Sequence, residues 1–467
     1  MATYFVDGEN GDDGDSGSSW GAAKLTLNGA EDIPVAPGDL VILGPPGHVF
    51  REELTIDVSG SSGDPITYEG DWTGASTTGG PGGVIRITGS EDDISTCRTN
   101  CINGTFSGKS YRTFRGLRFD LATDQTILAS GSSWIIEDCS FGEANTRHIY
   151  FWGASQFGCT VRRCFFVGLG AFKANVHSFA GALVDNANHT IENNVFTGYT
   201  SQFRSDRVGD ITLKNNLFYG AYIALNLATA ISASSTITVE NSIVSSGNNG
   251  FNAPASTGSL LEDYNAVHSM STARTNVTTG SNSNTYPSLG ALPKLLDGYQ
   301  LPAYFGELSE WSQIAAIAGN DEATDDLFGF TRPATSAKKS WGPIQYSDIE
   351  RETSVIRSGC VSLKLNDAGL QQVFVPTDGT SASFNVYVNR ATNYGGSTCP
   401  QMIIRQPGQA DVTVTDTGAA STWNLISGSL AVSASTDFVA VLFKSHNTAA
   451  SSGSAVATYF DDFSLTI

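Results

Sequence analysis

Ile136-Glu137-Asp138-Cys139-Ser140-Phe141 returns as Val161-Arg162-Arg163-Cys164-Phe165-Phe166, as Ile191-Glu192-Asn193-Asn194-Val195-Phe196 and as Leu213-Lys214-Asn215-Asn216-Leu217-Phe218. Val239-Glu240-Asn241-Ser242-Ile243-Val244 and the weaker Leu261-Glu262-Asp263-Tyr264-Asn265-Ala266 follow, and Phe114-Arg115-Gly116-Leu117-Arg118-Phe119 comes before. Successive copies start 22 to 30 residues apart, the period of a stacked-repeat architecture. Each reads apolar, charged, polar, polar, any, apolar: a strand, a tight turn and the start of another strand. One such unit cannot bury its apolar side chains alone. Stacked at about 4.8 Å, the copies place Ile136, Val161, Ile191, Leu213 and Val239 in one interior column and Phe141, Phe166, Phe196 and Phe218 in another. Asn193-Asn194 and Asn215-Asn216 fall at the turn, where Asn tolerates left-handed backbone and hydrogen-bonds locally, so successive Asn are expected to form a ladder. Cys139 and Cys164 share that position on adjacent copies, close enough for a disulfide, although two stacked reduced thiols are the plainer expectation.

With 467 residues the chain is too long for one ordinary core, which favours a repeat that grows along one axis. Fifty glycines, 15% charged residues and 10% aromatics describe a turn-rich β protein. No stretch has the apolar length of a membrane-spanning helix, so membrane insertion is not expected. A formal charge of −20 repels polyanions and argues against a nucleic-acid partner. Met1 to Asp7 run straight into a strand-like segment without the basic and apolar regions of an export signal, which fits either a trimmed chain or release by lysis. Seven cysteines, an odd number, argue against a disulfide scaffold, and Cys97 and Cys101 lack the second Cys/His pair that zinc requires.

These coils resemble the right-handed parallel β-helix superfamily of pectate lyases, alginate and chondroitin lyases and phage tailspikes. The opening is similar too, with Tyr4-Phe5-Val6-Asp7-Gly8, Gly11-Asp12-Asp13-Gly14, Ser19-Trp20, Pro37-Gly38-Asp39 and Tyr68-Glu69-Gly70-Asp71. The resemblance implies an all-β chain: an N-terminal cap and first coils over 1–90, a parallel β-helix over 91–290 and a closing cap over 291–346. The cap includes a segment of helical spacing, Leu308 to Ala318, and a closing run from Asp326-Leu327-Phe328-Gly329 to Lys338-Lys339-Ser340-Trp341-Gly342 that covers an edge otherwise prone to aggregate. From about residue 347 the pattern changes to short alternating strands: Val361 to Leu365, Gln372 to Val375, Phe384 to Val388, Met402 to Arg405, Phe438 to Phe443 and Tyr459 to Leu465. That spacing predicts an antiparallel β-sandwich over 347–467. Its ending, Tyr459-Phe460-Asp461-Asp462-Phe463-Ser464-Leu465, resembles the last strand of jelly-roll carbohydrate-binding modules. A glycan-binding module and a structural or trimerising knob both fit it.

The chemistry is less legible. Residues 162 to 214 hold Arg162, Arg163, Lys173, His177, Asp185, Arg204, Asp206, Arg207 and Lys214, a basic-rich segment in an acidic protein. Lyases of this superfamily need a Lys or Arg base and groups that neutralise a uronate carboxylate, so Lys173 and Arg204 sharing a groove would meet a polyanionic glycan. Arg162 and Lys214, however, occupy outward strand positions where charge is expected. Hydrolysis would instead need a carboxylate pair, for which Glu143, Asp185 and Asp206 are candidates. No catalytic residue is assigned. Trp152, Tyr150 and Phe172 are candidate glycan platforms, since sugar C–H faces stack on rings. Asp7, Asn10, Asp12, Asp13 and Asp15 superficially resemble a calcium loop, but they lack the distal Glu of an EF-hand and read better as a cap turn. The expectation is a phage virion protein (tailspike, fibre or capsid-surface appendage) that displays a glycan-binding surface to a host polysaccharide, alongside other virion proteins and as a homotrimer. The rival is an extracellular polysaccharide lyase or glycoside hydrolase with an appended binding module.

Overall fold

A computed structural model describes residues 1–71, 74–78, 84–93, 96–104, 108–142, 144–152, 157–167, 174–179, 188–197, 201–205, 210–219, 222–227, 236–253, 259–281, 283–286, 349–352, 362–366, 370–376, 381–390, 400–405, 412–431, 438–444 and 457–466. The expected closing cap over 291–346 lies outside the described residues, as does its helical segment. The chain divides into two compact units, the first built on Met1–Ser288 and the second mainly on Gln345–Ile467.

The first unit is the expected right-handed parallel β-helix. Ten parallel strands stack into one face, from Thr3–Asp7 through Ile135–Glu137, Thr160–Arg162, His189–Glu192 and Ile211–Lys214 to Ser259–Asp263. A 17-stranded sheet wraps the other two faces. Short strands such as Ser140–Phe141, Phe165–Val167 and Val195–Thr197 make the second face. Gln125–Ala129, Arg147–Trp152, Ala174–Phe179, Ser201–Ser205 and Ile223–Leu227 stack into the third. Ile243–Asn252 and Ala266–Thr275, ten residues each, run across both.

The turn after the first face repeats in conformation as well as in sequence. Gly116, Asp138, Arg163, Asn193, Asn215, Asn241 and Tyr264 occupy it with φ between 53° and 66°, the left-handed region that costs a residue with a Cβ. The next residue points inward and satisfies the backbone of the neighbouring rung. Cys164 N donates to Asn194 Oδ1 (2.9 Å), Asn194 N to Asn216 Oδ1 (3.0 Å), Asn216 N to Ser242 Oγ (3.2 Å) and Ser242 N to Asn265 Oδ1 (2.9 Å). Asn194 and Asn216 return donors to Val161 O and Ile191 O. This is the expected ladder, fully buried, and Cys139 and Cys164 continue it as free thiols.

Beside it runs the aromatic column. Phe119, Phe141, Phe166, Phe196 and Phe218 stack with centroids 5.4, 4.6, 4.7 and 5.0 Å apart and planes within 24° of parallel. The other column, Phe114, Ile136, Val161, Ile191, Leu213 and Val239, is in register and fully buried.

The last copy departs from the sequence alignment by one residue. Val239 pairs with Glu262, so Leu261 is 56% exposed and a carboxylate occupies the column. Glu262 is matched there by Arg274, which takes the interior position beneath Phe251, and by Asn265 and Ser283. A buried ion pair with its hydrogen bonds satisfied can close an apolar column that a lone charge would disrupt. The opposite end carries a similar device. Glu31, on the short cap helix Leu27–Glu31, receives Arg112 (2.8 and 3.0 Å) and the Tyr68 hydroxyl (2.5 Å).

The second unit is the expected β-sandwich: five antiparallel strands, in the order Ile349–Glu352, Ser362–Asn366, Ala457–Thr466, Ser381–Arg390, Asn424–Ala431, and four in the order Leu370–Pro376, Phe438–Lys444, Gln401–Arg405, Val412–Thr415. Phe443 of one sheet meets Phe460 of the other at 5.1 Å. Asn424–Ala431 was not expected, because Gly428 breaks its alternation. A Cβ there would lie 2.8 Å from Ile404 Cδ1 and 2.9 Å from Val414 Cγ2 of the facing sheet, so a larger residue would have to displace those side chains.

Two outcomes follow for the helix. Phe166→Ala opens a void in the middle of the ring stack and is expected to cost about 3–5 kcal/mol in urea unfolding; a loss below about 1 kcal/mol would show that the stack contributes little. The second concerns His189, which lies flat on Phe151 at 4.9 Å and accepts the Cys159 amide on Nδ1 (3.2 Å). Burial lowers its pKa to about 4. The unfolded imidazole titrates near its ordinary ~6.5, so the stability tied to neutral His189 is complete above that pH and is lost as pH falls toward 4. Melting temperatures from pH 7.5 to 4.5 should decline less steeply in His189→Phe, which keeps the stack and has no proton to take up; identical slopes would exclude His189 as a source of acid sensitivity.

Candidate functional site

On the first face, the outward residue after the apolar column alternates in sign. Glu69, Arg115, Glu137, Arg162, Glu192, Lys214 and Glu240 lie on consecutive rungs in register, and Asp263 follows. Arg162 meets Glu137 at 2.6 Å, Arg115 reaches Glu69 and comes within 3.8 Å of Glu137, and Arg163 is bidentate to Asp138 (2.7 and 2.9 Å). Three of the basic segment's four described Lys and Arg residues therefore belong to this ladder: Arg162, Arg163 and Lys214 sit among carboxylates of adjacent rungs. Charges stacked about 4.8 Å apart must alternate or repel.

The third face is built differently. Its inward row is Ile102, Ile127, Ile149, Phe203, Leu225 and Phe251, with Val176 at the register position between Ile149 and Phe203. The next residue on each strand is Asn103, Leu128, Tyr150, Arg204, Asn226, Asn252 and Thr275, with His177 at the register position between Tyr150 and Arg204. Tyr150, Arg204, Asn226, Asn252 and Thr275 are partly exposed. The Arg147 guanidinium lies over the Tyr150 ring, 4.1 Å from its centroid, and is held from behind by Asp124 (3.3 Å) and Gln125 (3.4 Å). Trp152, two residues along, is 37% exposed and inclined 45° to Tyr150 with centroids 5.4 Å apart. Further along, Asn252 Nδ2 donates to Asn226 Oδ1 (3.1 Å) and Asn226 Nδ2 to Ser201 Oγ (3.2 Å), which fixes the orientation of both amides.

Of the candidates read from the sequence, the fold brings Tyr150, Trp152 and Arg204 onto this one face, with His177 between Tyr150 and Arg204 in register. Lys173, Glu143, Phe172, Asp185, Asp206 and Arg207 lie outside the described residues. Arg147, Asn226, Asn252 and Thr275 were missed. A signal for the last three exists: Arg204, Asn226, Asn252 and Thr275 each lie 13 residues after the column residues Ile191, Leu213, Val239 and Glu262.

The acidic N-terminal loop is a cap turn in its geometry. Asp7 Oδ1 accepts Glu9 N and Asn10 N, Asp12 Oδ1 accepts Gly14 N, and Asp13 accepts Leu25 N, Thr26 N and the Thr26 hydroxyl. Burial would raise the Asp13 pKa, yet the hydrogen bonds from Thr26 and Leu25 bring it below the usual value. Among the described residues no group of three or more His, Cys, Asp or Glu is arranged to hold a metal ion, and no helix is long and apolar enough to cross a membrane.

No protein-family model matches the chain, and no curated protein matches it. Among solved structures it is similar to the GH136 lacto-N-biosidase from Eubacterium ramulus, at 10% identity and a TM-score of 0.37 over 61% of this chain and 67% of that one. The tailspike protein gp49 from Acinetobacter baumannii bacteriophage Fri1, a capsular polysaccharide depolymerase, aligns over all of this chain and 86% of its own at 9% identity and a TM-score of 0.22. A Family 16 Carbohydrate Binding Module-2 aligns with 26% of this chain and 86% of its own, at 12% identity and a TM-score of 0.20.

Proposed function

We propose that this chain is a glycan-binding protein of the virion surface, a tailspike, fibre or capsid-surface appendage that works as a homotrimer beside other virion proteins, and that glycan lands on the third face of its β-helix around Tyr150 and Trp152. The observation that carries the reading is the pair of the partly exposed Tyr150 and the exposed Trp152 on one strand, with the Arg147 guanidinium packed on the Tyr150 ring. Sugar rings offer C–H faces to such aromatics, and rings fixed on a sheet lose little conformational freedom when a ligand arrives. The neighbouring Asn226 and Asn252 supply oriented amides of the kind that hydroxyls recognise. This surface needs no cofactor.

The test is a panel of acidic and neutral polysaccharides presented to the full chain and to Trp152→Ala and Tyr150→Ala. Binding, new reducing ends and the ultraviolet absorbance of unsaturated products are followed together. The expected result is binding without cleavage, weakened about five- to tenfold by either substitution, as the loss of an aromatic contact of ~1 kcal/mol implies. Binding untouched by both substitutions would move the site elsewhere, and rising product signals would replace the adhesive reading with the lyase or hydrolase one.

A further inference from the structure

We infer that Cys139 and Cys164 are a cross-linking site: given a small disulfide as oxidant, they join across adjacent coils, and the bond ties shut the coil between them. Register places the two opposite each other. Glu137 pairs with Arg162 before them and Ser140 with Phe165 after. Their Cα atoms therefore lie about 4.8 Å apart, inside the roughly 4.4–6.8 Å that a disulfide spans. Both side chains are buried, and the two thiols are hydrogen-bonded to each other. A disulfide brings two Cβ atoms to about 3.8 Å, so the two turns close by about 1 Å at this point. Cys159, on the same coil, faces His189 instead, whose Nδ1 accepts its amide at 3.2 Å.

The column also shows what the bond would replace. Further along, a side-chain oxygen accepts the amide of the preceding rung, Asn194 from Cys164 and Asn216 from Asn194. Where the thiols take over, the reach to the preceding rung is Cys164 Sγ to Ile136 O (3.5 Å) and Cys139 Sγ to Phe114 O (3.6 Å), and a thiol is a weak donor. The cross-link would thus put a covalent tie where the hydrogen-bonded ladder is poorest. Residues 139–164 make one coil, which carries Arg147, Tyr150 and Trp152 on the strand Arg147–Trp152. Closing a loop of about 25 residues restricts the unfolded chain and so favours the folded one. The cross-link stands whether or not that strand binds glycan.

The chemistry is thiol–disulfide exchange with a reagent such as oxidised glutathione. One cysteine thiolate attacks a sulfur of the reagent and expels a glutathione thiolate; the second attacks the mixed disulfide, forms the Cys139–Cys164 bond and expels the other. Two electrons pass from the cysteines to the reagent's S–S bond, and the two thiol protons end on the two glutathiones. Burial and the adjacent Cys139 thiol push the Cys164 pKa well up, so the thiolate is scarce in the closed fold. Exchange therefore proceeds while the coil is open, above all during folding.

The full chain is refolded from urea with oxidised and reduced glutathione, or with dithiothreitol alone, then alkylated and digested with trypsin without reduction. Cleavage after Arg147, Arg162 and Arg163 leaves Cys139, Cys159 and Cys164 on three separate peptides. A Cys139–Cys164 pair is expected from the oxidised sample only. The oxidised chain is expected to melt about 5 °C or more above the reduced one, a difference that Cys139→Ser and Cys164→Ser each abolish. Because each variant is compared with its own reduced form, a stability loss from the substitution itself cancels. Alkylated Cys139 and Cys164 after folding in oxidant would overturn the inference, as would their linkage to other cysteines. A linked pair without a rise in melting temperature would overturn the claim that the bond ties the coil shut.

Discussion

Every feature of the first unit depends on rungs stacking in register, so that each position in a coil is repeated by its neighbours about 4.8 Å away. Under that constraint a side chain is judged by the copies above and below it as much as by its own surroundings. A single buried asparagine would leave donors unmet. In a column, Asn194 and Asn216 satisfy each other and the intervening backbone. One phenylalanine adds apolar area, whereas five in register add ring contacts near 5 Å along the shaft. The left-handed turn residue makes this possible, because it turns the chain at the same place in each coil and so keeps the columns vertical.

The same constraint explains where charge can stand and how the column ends. Like charges on adjacent rungs would repel, and the first face alternates from Glu69 to Glu240. A column must also stop. Putting Glu262 and Arg274 at interior positions of the last rung described on the first and third faces replaces apolar stacking there with an ion pair. Removing one partner would leave the other buried without its counter-charge, which costs several kcal/mol.

Much of this was legible in the sequence because a repeat is read many times over. The motif recurs in seven copies, with one column legible in five of them, the ring column in four and the paired asparagines in two, and one ambiguous residue could not obscure them. Sandwich strands were read from Phe384 to Val388 and from Phe438 to Phe443, while the four-residue strands Ile349–Glu352 and Val412–Thr415 were missed, as was Asn424–Ala431, where Gly428 lets the opposite sheet press in. The one-residue slip at Leu261 was misread for a physical reason: hydrophobicity favours Leu261 as the core residue, and only the presence of Arg274, 12 residues on, makes Glu262 acceptable inside. The candidate site was legible in fragments. Tyr150, Trp152 and Arg204 drew notice as residue types, but what joins them is a row offset by coil lengths that vary between Ile136 and Ile191 and settle at 13 residues only from Ile191 onward.

That irregular row is the place where the stacking constraint is weakest. Turn, ring and ladder positions repeat because each needs its copy to be satisfied, and the first-face charges alternate from Glu69 to Glu240. An outward side chain on the third face has its backbone already paired and its face open to solvent, so nothing internal requires it to match its neighbours. The row runs Asn103, Leu128, Tyr150, His177, Arg204, Asn226, Asn252, Thr275: residue type changes from rung to rung except at the hydrogen-bonded pair Asn226 and Asn252, at a spacing held by a framework that repeats. Recognition of a polymer needs that combination. The repeating backbone sets the distances between contacts, and the unrepeated side chains decide what each contact accepts.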